Sequence, residues 1–149
     1  MKNIVLLLLS NAICIFSNAQ NNIPNDRQRK AIISLIDKYS QAREKKDTAL
    51  LKTILTADVD QLVSTGEWRN GIASSIDGML KSSSNTPGTR TLTIEKIKMF
   101  TTTCAIVDCR YEIQNTDGTI RKMWSTFIVV ADSEVWRISA IRNMLPAAR

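Results

Sequence analysis

Histidine is absent from the 149-residue chain. Without it, Ser-His-Asp and Cys-His nucleophiles and histidine-ligated metal sites are excluded, and acid–base work falls to carboxylates and tyrosine. Cysteine is scarce, present only as Cys14, Cys104 and Cys109. An intact strand separates residues at the spacing of Cys104 and Cys109 by about 16 Å, from a rise of roughly 3.3 Å per residue. A disulfide needs α-carbons within about 7 Å, so two free thiols are expected, with a bond across a bend as the alternative. That spacing is also too sparse for a metal site, and nothing in the sequence calls for a metal or an organic cofactor. A clustered basic patch with interleaved aromatics is missing too, which argues against nucleic-acid binding. The basic surplus, 20 residues against 14 acidic, serves solubility or draws anionic small molecules toward a cleft.

Long apolar runs are confined to the start. Lys2, the run from Ile4 to Phe16, and Ser17 and Ala19 bracketing Asn18 form the pattern of a secretory signal peptide cut after Ala19. The run falls short of the roughly 20 residues of a spanning helix. Ile13 also stands where lipid attachment at Cys14 would need a small residue. An exported protein, periplasmic or secreted, is therefore expected, with no stable membrane anchor after cleavage. Residues 1–19 are assigned to the signal, 20–27 to a flexible polar leader containing Pro24, and 28–149 to a single domain.

Beyond the leader the chain is periodic. Ala31, Ile32, Leu35, Ile36, Tyr39 and Ala42 recur at helical spacing. Asp47 is placed to cap a second helix bearing Leu50, Leu51, Ile54 and Leu55, and Asn70 a third bearing Ile72, Ile76, Met79 and Leu80. Between the second and third, "DVDQLVSTGEW" reads as a strand, and "KSSSNTPGTR" reads as a loop. The period then becomes two, giving strands at 91–101, 105–114, 121–131 and 135–143. Asp117-Gly118 marks a hairpin, and the apolar phase slip after Ile94 predicts a bulge near Glu95 or Lys96. Helices succeeded by an antiparallel meander make an α+β domain.

The order of elements, with "TADVDQLVSTGEWRNG", "AIVDCRYEIQNTDG", "MWSTFIVV" and "WRISAIRNMLP", resembles the nuclear transport factor 2-like superfamily. SnoaL-like and SgcJ/EcaC-like (DUF4440-type) domains are the nearest match over about residues 28–146. The resemblance implies a cone-shaped fold, three N-terminal helices packed on a curved, mainly antiparallel sheet, with a pocket between helices and sheet. It also implies a homodimer through the sheet face. Members include isomerases, dehydratases, hydrolases and cyclases as well as non-catalytic binding and dimerisation modules, so it fixes no reaction. It makes Asp60 the acid nearest to a recurring family aspartate.

Alternation sorts the remaining candidates. Val107, Cys109 and Tyr111 share one face of their strand, which makes Tyr111 either a pocket donor beside an Asp60 base or a core tyrosine with its hydroxyl at the rim. Trp136, Ile138, Ala140 and Arg142 share a face, which delivers the Arg142 guanidinium to the cavity, for a ligand anion or for an acid such as Asp58 or Asp60. Asn143 falls on the other face and is expected to bond backbone at the chain end. Trp124 with Thr126, and Trp68, are either pocket wall or core. Met123, Phe127 and Val129 then form an exposed patch that serves as the dimer interface. The expected ligand is a small anionic or aromatic molecule. An acid–base enzyme and a non-catalytic interaction module are the rival readings.

Overall fold

The computed structural model describes residues 23–147. The expected signal peptide and residues 20–22 of the expected leader lie outside the described residues; the last two leader residues, Asp26 and Arg27, already belong to the first helix. Helix α1 (Asp26–Lys45) starts at a capping box in which Asn25 and Gln28 satisfy each other's backbone N–H at 2.9 and 3.0 Å. Its stripe of Ile32, Leu35, Ile36, Tyr39 and Ala42 is buried, and it ends at Lys46 in the left-handed region. Asp47 then accepts from the Leu50 amide at 2.9 Å and caps α2 (Thr48–Ile54). The chain passes without a loop into β1 (Leu55–Leu62), turns through Gly66, and returns as a short β2 (Trp68–Asn70).

Helix α3 (Gly71–Asn85) comes directly after β2, and Asn70 occupies its N-cap position without making a side-chain cap bond. The helix runs through Ser82–Ser84, which polarity alone assigned to a loop. Arg90 supports this end: it donates to the carbonyl of the C-cap residue Thr86 at 2.7 Å, a group that a helix end leaves without a partner, and also reaches the Ser82 oxygen at 3.4 Å, which accepts from the Thr86 amide as well. Pro87 stops it, because the residue before a proline is pushed out of the α region. Four long strands complete the chain, β3 (Gly88–Thr101), β4 (Cys104–Asn115), β5 (Ile120–Asp132) and β6 (Val135–Met144).

The sheet order is β2-β1-β6-β5-β4-β3, antiparallel throughout except for the parallel β1/β6 pair, and the sheet stays open. A bulge falls at Glu95, where Ile94 pairs with Cys109 but Lys96 with Asp108. Gly118 takes φ +83° in the hairpin, and Asp117 accepts from the Thr119 amide at 2.9 Å. Among the described residues no helix is long and apolar enough to cross a membrane.

The helices cover one sheet face. On β4 that face is Val107, Cys109, Tyr111 and Ile113, as alternation predicts. On β5 it is Met123, Ser125, Phe127 and Val129, which corrects the expectation twice. The expected dimer patch is core, and Trp124 and Thr126, expected at the pocket, lie on the outer face. Both phases of β5 are largely apolar, so period alone does not choose between them. Packing does: Phe127 is fully buried, with its ring edge on Tyr39 at 5.2 Å and 74°.

A second reversal comes from one residue. On β6, Ala140 pairs with Ile128 and Ile138 with Val129, leaving Ser139 as an unpaired bulge residue. The bulge shifts the phase, so Ile138, Ile141 and Asn143 point inward while Ala140 and Arg142 point outward. Unbroken alternation from Trp136 therefore assigned Arg142 and Asn143 to the wrong faces.

Candidate functional site

At the end of the molecule where α1 finishes and the β1–β2 turn folds over, helices and sheet part to leave a cleft of about 440 Å³. Its volume falls within the range of small-molecule sites, roughly 300–1,000 Å³. Its inner end is built by Arg43 of α1, Gln61 of β1, Arg69 of β2, Tyr111 of β4 and Asn143 of β6. Nearer the mouth stand Glu67, Asp77, Lys81 and Arg121. A small chamber of about 10 Å³ shares Arg43, Tyr111 and Asn143 with the cleft and adds Tyr39, Arg90 and Ser125.

Polarity is concentrated here. The buried polar or charged residues among those described are Arg43, Gln61, Arg69, Ser75 and Ser125. All but Ser75 line the cleft or its chamber, and Ser75 donates to the Arg69 carbonyl at 3.4 Å. Gln61 and Glu67 hold Arg69, accepting at 3.3 and 2.8 Å. The Arg69 side chain lies across Gly78 of α3, where any Cβ would fall inside the guanidinium's van der Waals surface. That close approach explains a glycine inside a helix, where it otherwise costs about 1 kcal/mol against alanine.

Ser125 donates to the Asn143 side-chain oxygen at 2.7 Å, so Asn143 is fixed by a side chain rather than by backbone. Arg121 donates to Ser64 Oγ at 2.9 Å. Arg43 donates to Tyr39 Oη at 3.1 Å and Ser83 Oγ at 3.3 Å, both neutral acceptors. Burial holds the Tyr39 phenol above its ordinary pKa, against the opposing pull of Arg43.

The acids at the mouth are committed elsewhere. A hydrogen bond and charge from Arg69 hold Glu67 below the usual carboxylate range, and Asp77 pairs with Lys81 at 2.8 Å. A carboxylate with lowered pKa is a weaker proton acceptor, the reverse of the upward tuning expected of a general base. Among the described residues no group of three or more His, Cys, Asp or Glu gathers to hold a metal.

Of the residues chosen from sequence, Tyr111 alone lines this cleft. Asp60 lies on the outer face, where its carboxylate meets Arg142 at 2.7 Å. Trp68, half exposed at the edge, lies under the Arg142 guanidinium at 4.8 Å. Thr126 donates to Asp108 at 2.7 Å on the same face, and Trp124 is exposed there. Trp136 faces inward but at the opposite end, in hollows beside the start of α1 with Ala31, Glu134 and Val135. The residues sequence reasoning missed are Arg43, Arg69, Gln61, Arg121 and Asn143. For Arg43 a signal was present: it lies one helical turn beyond Tyr39, a charge on the apolar stripe.

No protein-family model and no curated protein matches the sequence. Solved structures do. A protein of unknown function from Shewanella oneidensis MR-1, described as NTF-2 like, superposes with TM-score 0.66 at 19% identity, covering 78% of this chain and 98% of its own. A domain of unknown function with a cystatin-like fold from Nostoc punctiforme gives 0.73 at 11% identity, over 84% and 81%. A nuclear transport factor 2-like superfamily protein from Salmonella enterica serovar Typhimurium gives 0.65 at 17% identity, over 80% and 92%. At these identities the likeness concerns the fold.

Proposed function

We propose that this chain, whose fold is nuclear transport factor 2-like, is an exported small-molecule-binding domain that takes its ligand in the cleft between helices and sheet. The observation that carries this reading is the gathering of buried polar side chains around one cleft of ligand size. Burying a polar group costs free energy unless a partner compensates it. A domain that served only to present its sheet would fill this end with apolar side chains.

Binding is favoured over acid–base chemistry because Asp60, the expected base, points away from the cleft into an ion pair with Arg142. The acids that do line it, Glu67 and Asp77, are engaged by Arg69 and Lys81. Export rests on the pattern at Lys2, Ile4 to Phe16 and Ala19, and N-terminal sequencing of the secreted protein should begin at Gln20. The outer sheet face exposes Trp124, Trp68 and Met144, and we place a homodimer contact there in place of the Met123, Phe127 and Val129 patch.

A thermal-shift screen of small organic acids, amides and aromatic metabolites, with Arg121→Ala and Asn143→Leu beside the parent, tests the pocket. Stabilisation of the parent that weakens in both variants is expected. Stabilisation that both variants retain in full would place the ligand elsewhere.

A further inference from the structure

From the state of Arg43 we infer that the cleft's ligand is an organic acid whose single carboxylate docks on that guanidinium; the inference rests on the pocket reading. Arg43 is only 7% exposed, yet among the described residues none of the ion pairs includes it. Its Nε is buried without a hydrogen-bond partner. A guanidinium carries five N–H donors. Two neutral hydroxyls, Tyr39 and Ser83, accept from it and the Tyr39 ring centroid lies 5.9 Å from it, but none of these supplies a counter-charge. A buried charge without its counter-ion is costly, and an isolated one survives in folded proteins when something else supplies the partner.

Two neighbouring cations have acids. Arg69 has Glu67 and Lys81 has Asp77. Arg90 donates to the Ser82, Thr86 and Gly88 carbonyls at 3.4, 2.7 and 3.0 Å. Two of these oxygens close the C-terminal end of α3, where the helix dipole is negative. Arg121 at the mouth donates to Ser64 Oγ and is in none of the ion pairs among the described residues, and Arg90 Nε, like that of Arg43, has no partner. Arg43 is the buried guanidinium of the cleft wall that meets neither an acid nor a carbonyl, and it matches one carboxylate. A phosphate monoester, at about −1.5 to −2 near neutral pH, would bring more negative charge than the single buried guanidinium of Arg43 offsets at the inner end. The 10 Å³ chamber behind Arg43 is about the size of one water. The acid group therefore approaches from the cleft, between Arg43, Tyr111 and Asn143, with the organic body toward Arg121 and the mouth.

This places stability and function in opposition at one residue. Replacing a buried unpaired charge by an apolar side chain of similar length is neutral or stabilising when the charge has no partner in the resting protein. Arg43→Met is therefore expected to raise the melting temperature of the ligand-free protein by a few degrees while removing the carboxylate seat.

The test is calorimetric titration and thermal shift on the purified protein with benzoate and butyrate, their neutral amides, and inorganic phosphate, at fixed ionic strength. Carboxylates that bind the parent, amides that bind at least about tenfold more weakly, and loss of that preference in Arg43→Met support the inference; tenfold is the low end for a charge-assisted hydrogen bond. Amides that match the acids would overturn it while leaving the pocket in place. Stabilisation by phosphate alone overturns the carboxylate assignment. Failure of acids, amides and phosphate alike would sink both the inference and the pocket reading. The acid-against-amide comparison is read on the parent alone, so it stands even if Arg43→Met fails to fold.

Discussion

Asp60 and Arg142 illustrate how residue types that suggest a catalytic site can serve the surface instead. Their pair at 2.7 Å, part-exposed, with the guanidinium also over Trp68, ties β1, β2 and β6 together on the outer face. A double-mutant cycle on Asp60→Ala and Arg142→Ala should give a coupling of about 0.5–1 kcal/mol, as for part-exposed ion pairs. Neither change should alter benzoate binding. Cys109 offers a second residue-scale outcome. It is free and buried, and burial, reinforced by Asp108 and Glu95, pushes its thiol up to about 12 from 9.0. The unfolded chain therefore releases this proton first as pH rises, so the stability it contributes is intact below about pH 9 and declines toward 12. Urea unfolding at pH 8 and pH 10 should show a loss of about 1 kcal/mol that Cys109→Ala reduces. An equal loss in the variant would assign it to other groups, the buried Tyr39 phenol first.

The elements differ in how much of their placement was legible. Asp47 and the apolar stripes announced α1 and α2, Asp117-Gly118 announced the β4–β5 hairpin, and the slip after Ile94 announced the bulge at Glu95. Each is a local event, encoded within a few residues of where it occurs. The Ser139 bulge left no such trace, because Ile138, Ala140 and Ile141 are apolar in both phases and the choice is made across strands, by Phe127 against Ile141 and Ser125 against Asn143. The facing of β5 was likewise decided by Tyr39 on a distant helix. Deleting Ser139 removes the extra residue, so strict alternation then keeps Ile141 and Asn143 inward and Arg142 outward, as in the parent. Stability within about 1 kcal/mol of the parent is expected by denaturant unfolding. A loss of at least about 3 kcal/mol, as for an unpaired buried charge, would mean that Arg142 had turned inward and would contradict the bulge's role.

At the scale of the whole molecule the sheet divides two kinds of surface. One face and the helices enclose the core and open at one end into the cleft; the other carries the Asp60–Arg142 pair together with exposed Trp124 and Trp68. The fold class was readable because helices succeeded by alternating strands leave few arrangements that bury both. The site was not, since Arg43, Arg69 and Asn143 come from separate elements and meet only after the sheet has curved. If the outer face joins two copies, Trp124→Glu should shift sedimentation from dimer to monomer and leave the cleft's ligand response intact. The central claim, a ligand cleft at the Arg43 end, is tested most directly by an amide-resolved NMR titration of the protein with benzoate. Saturable shifts centred on Arg43, Tyr111 and Asn143, with Asp60 and Trp136 undisturbed, are the expected result. Shifts confined to the outer face or to the Trp136 end, or none at saturating benzoate, would contradict it.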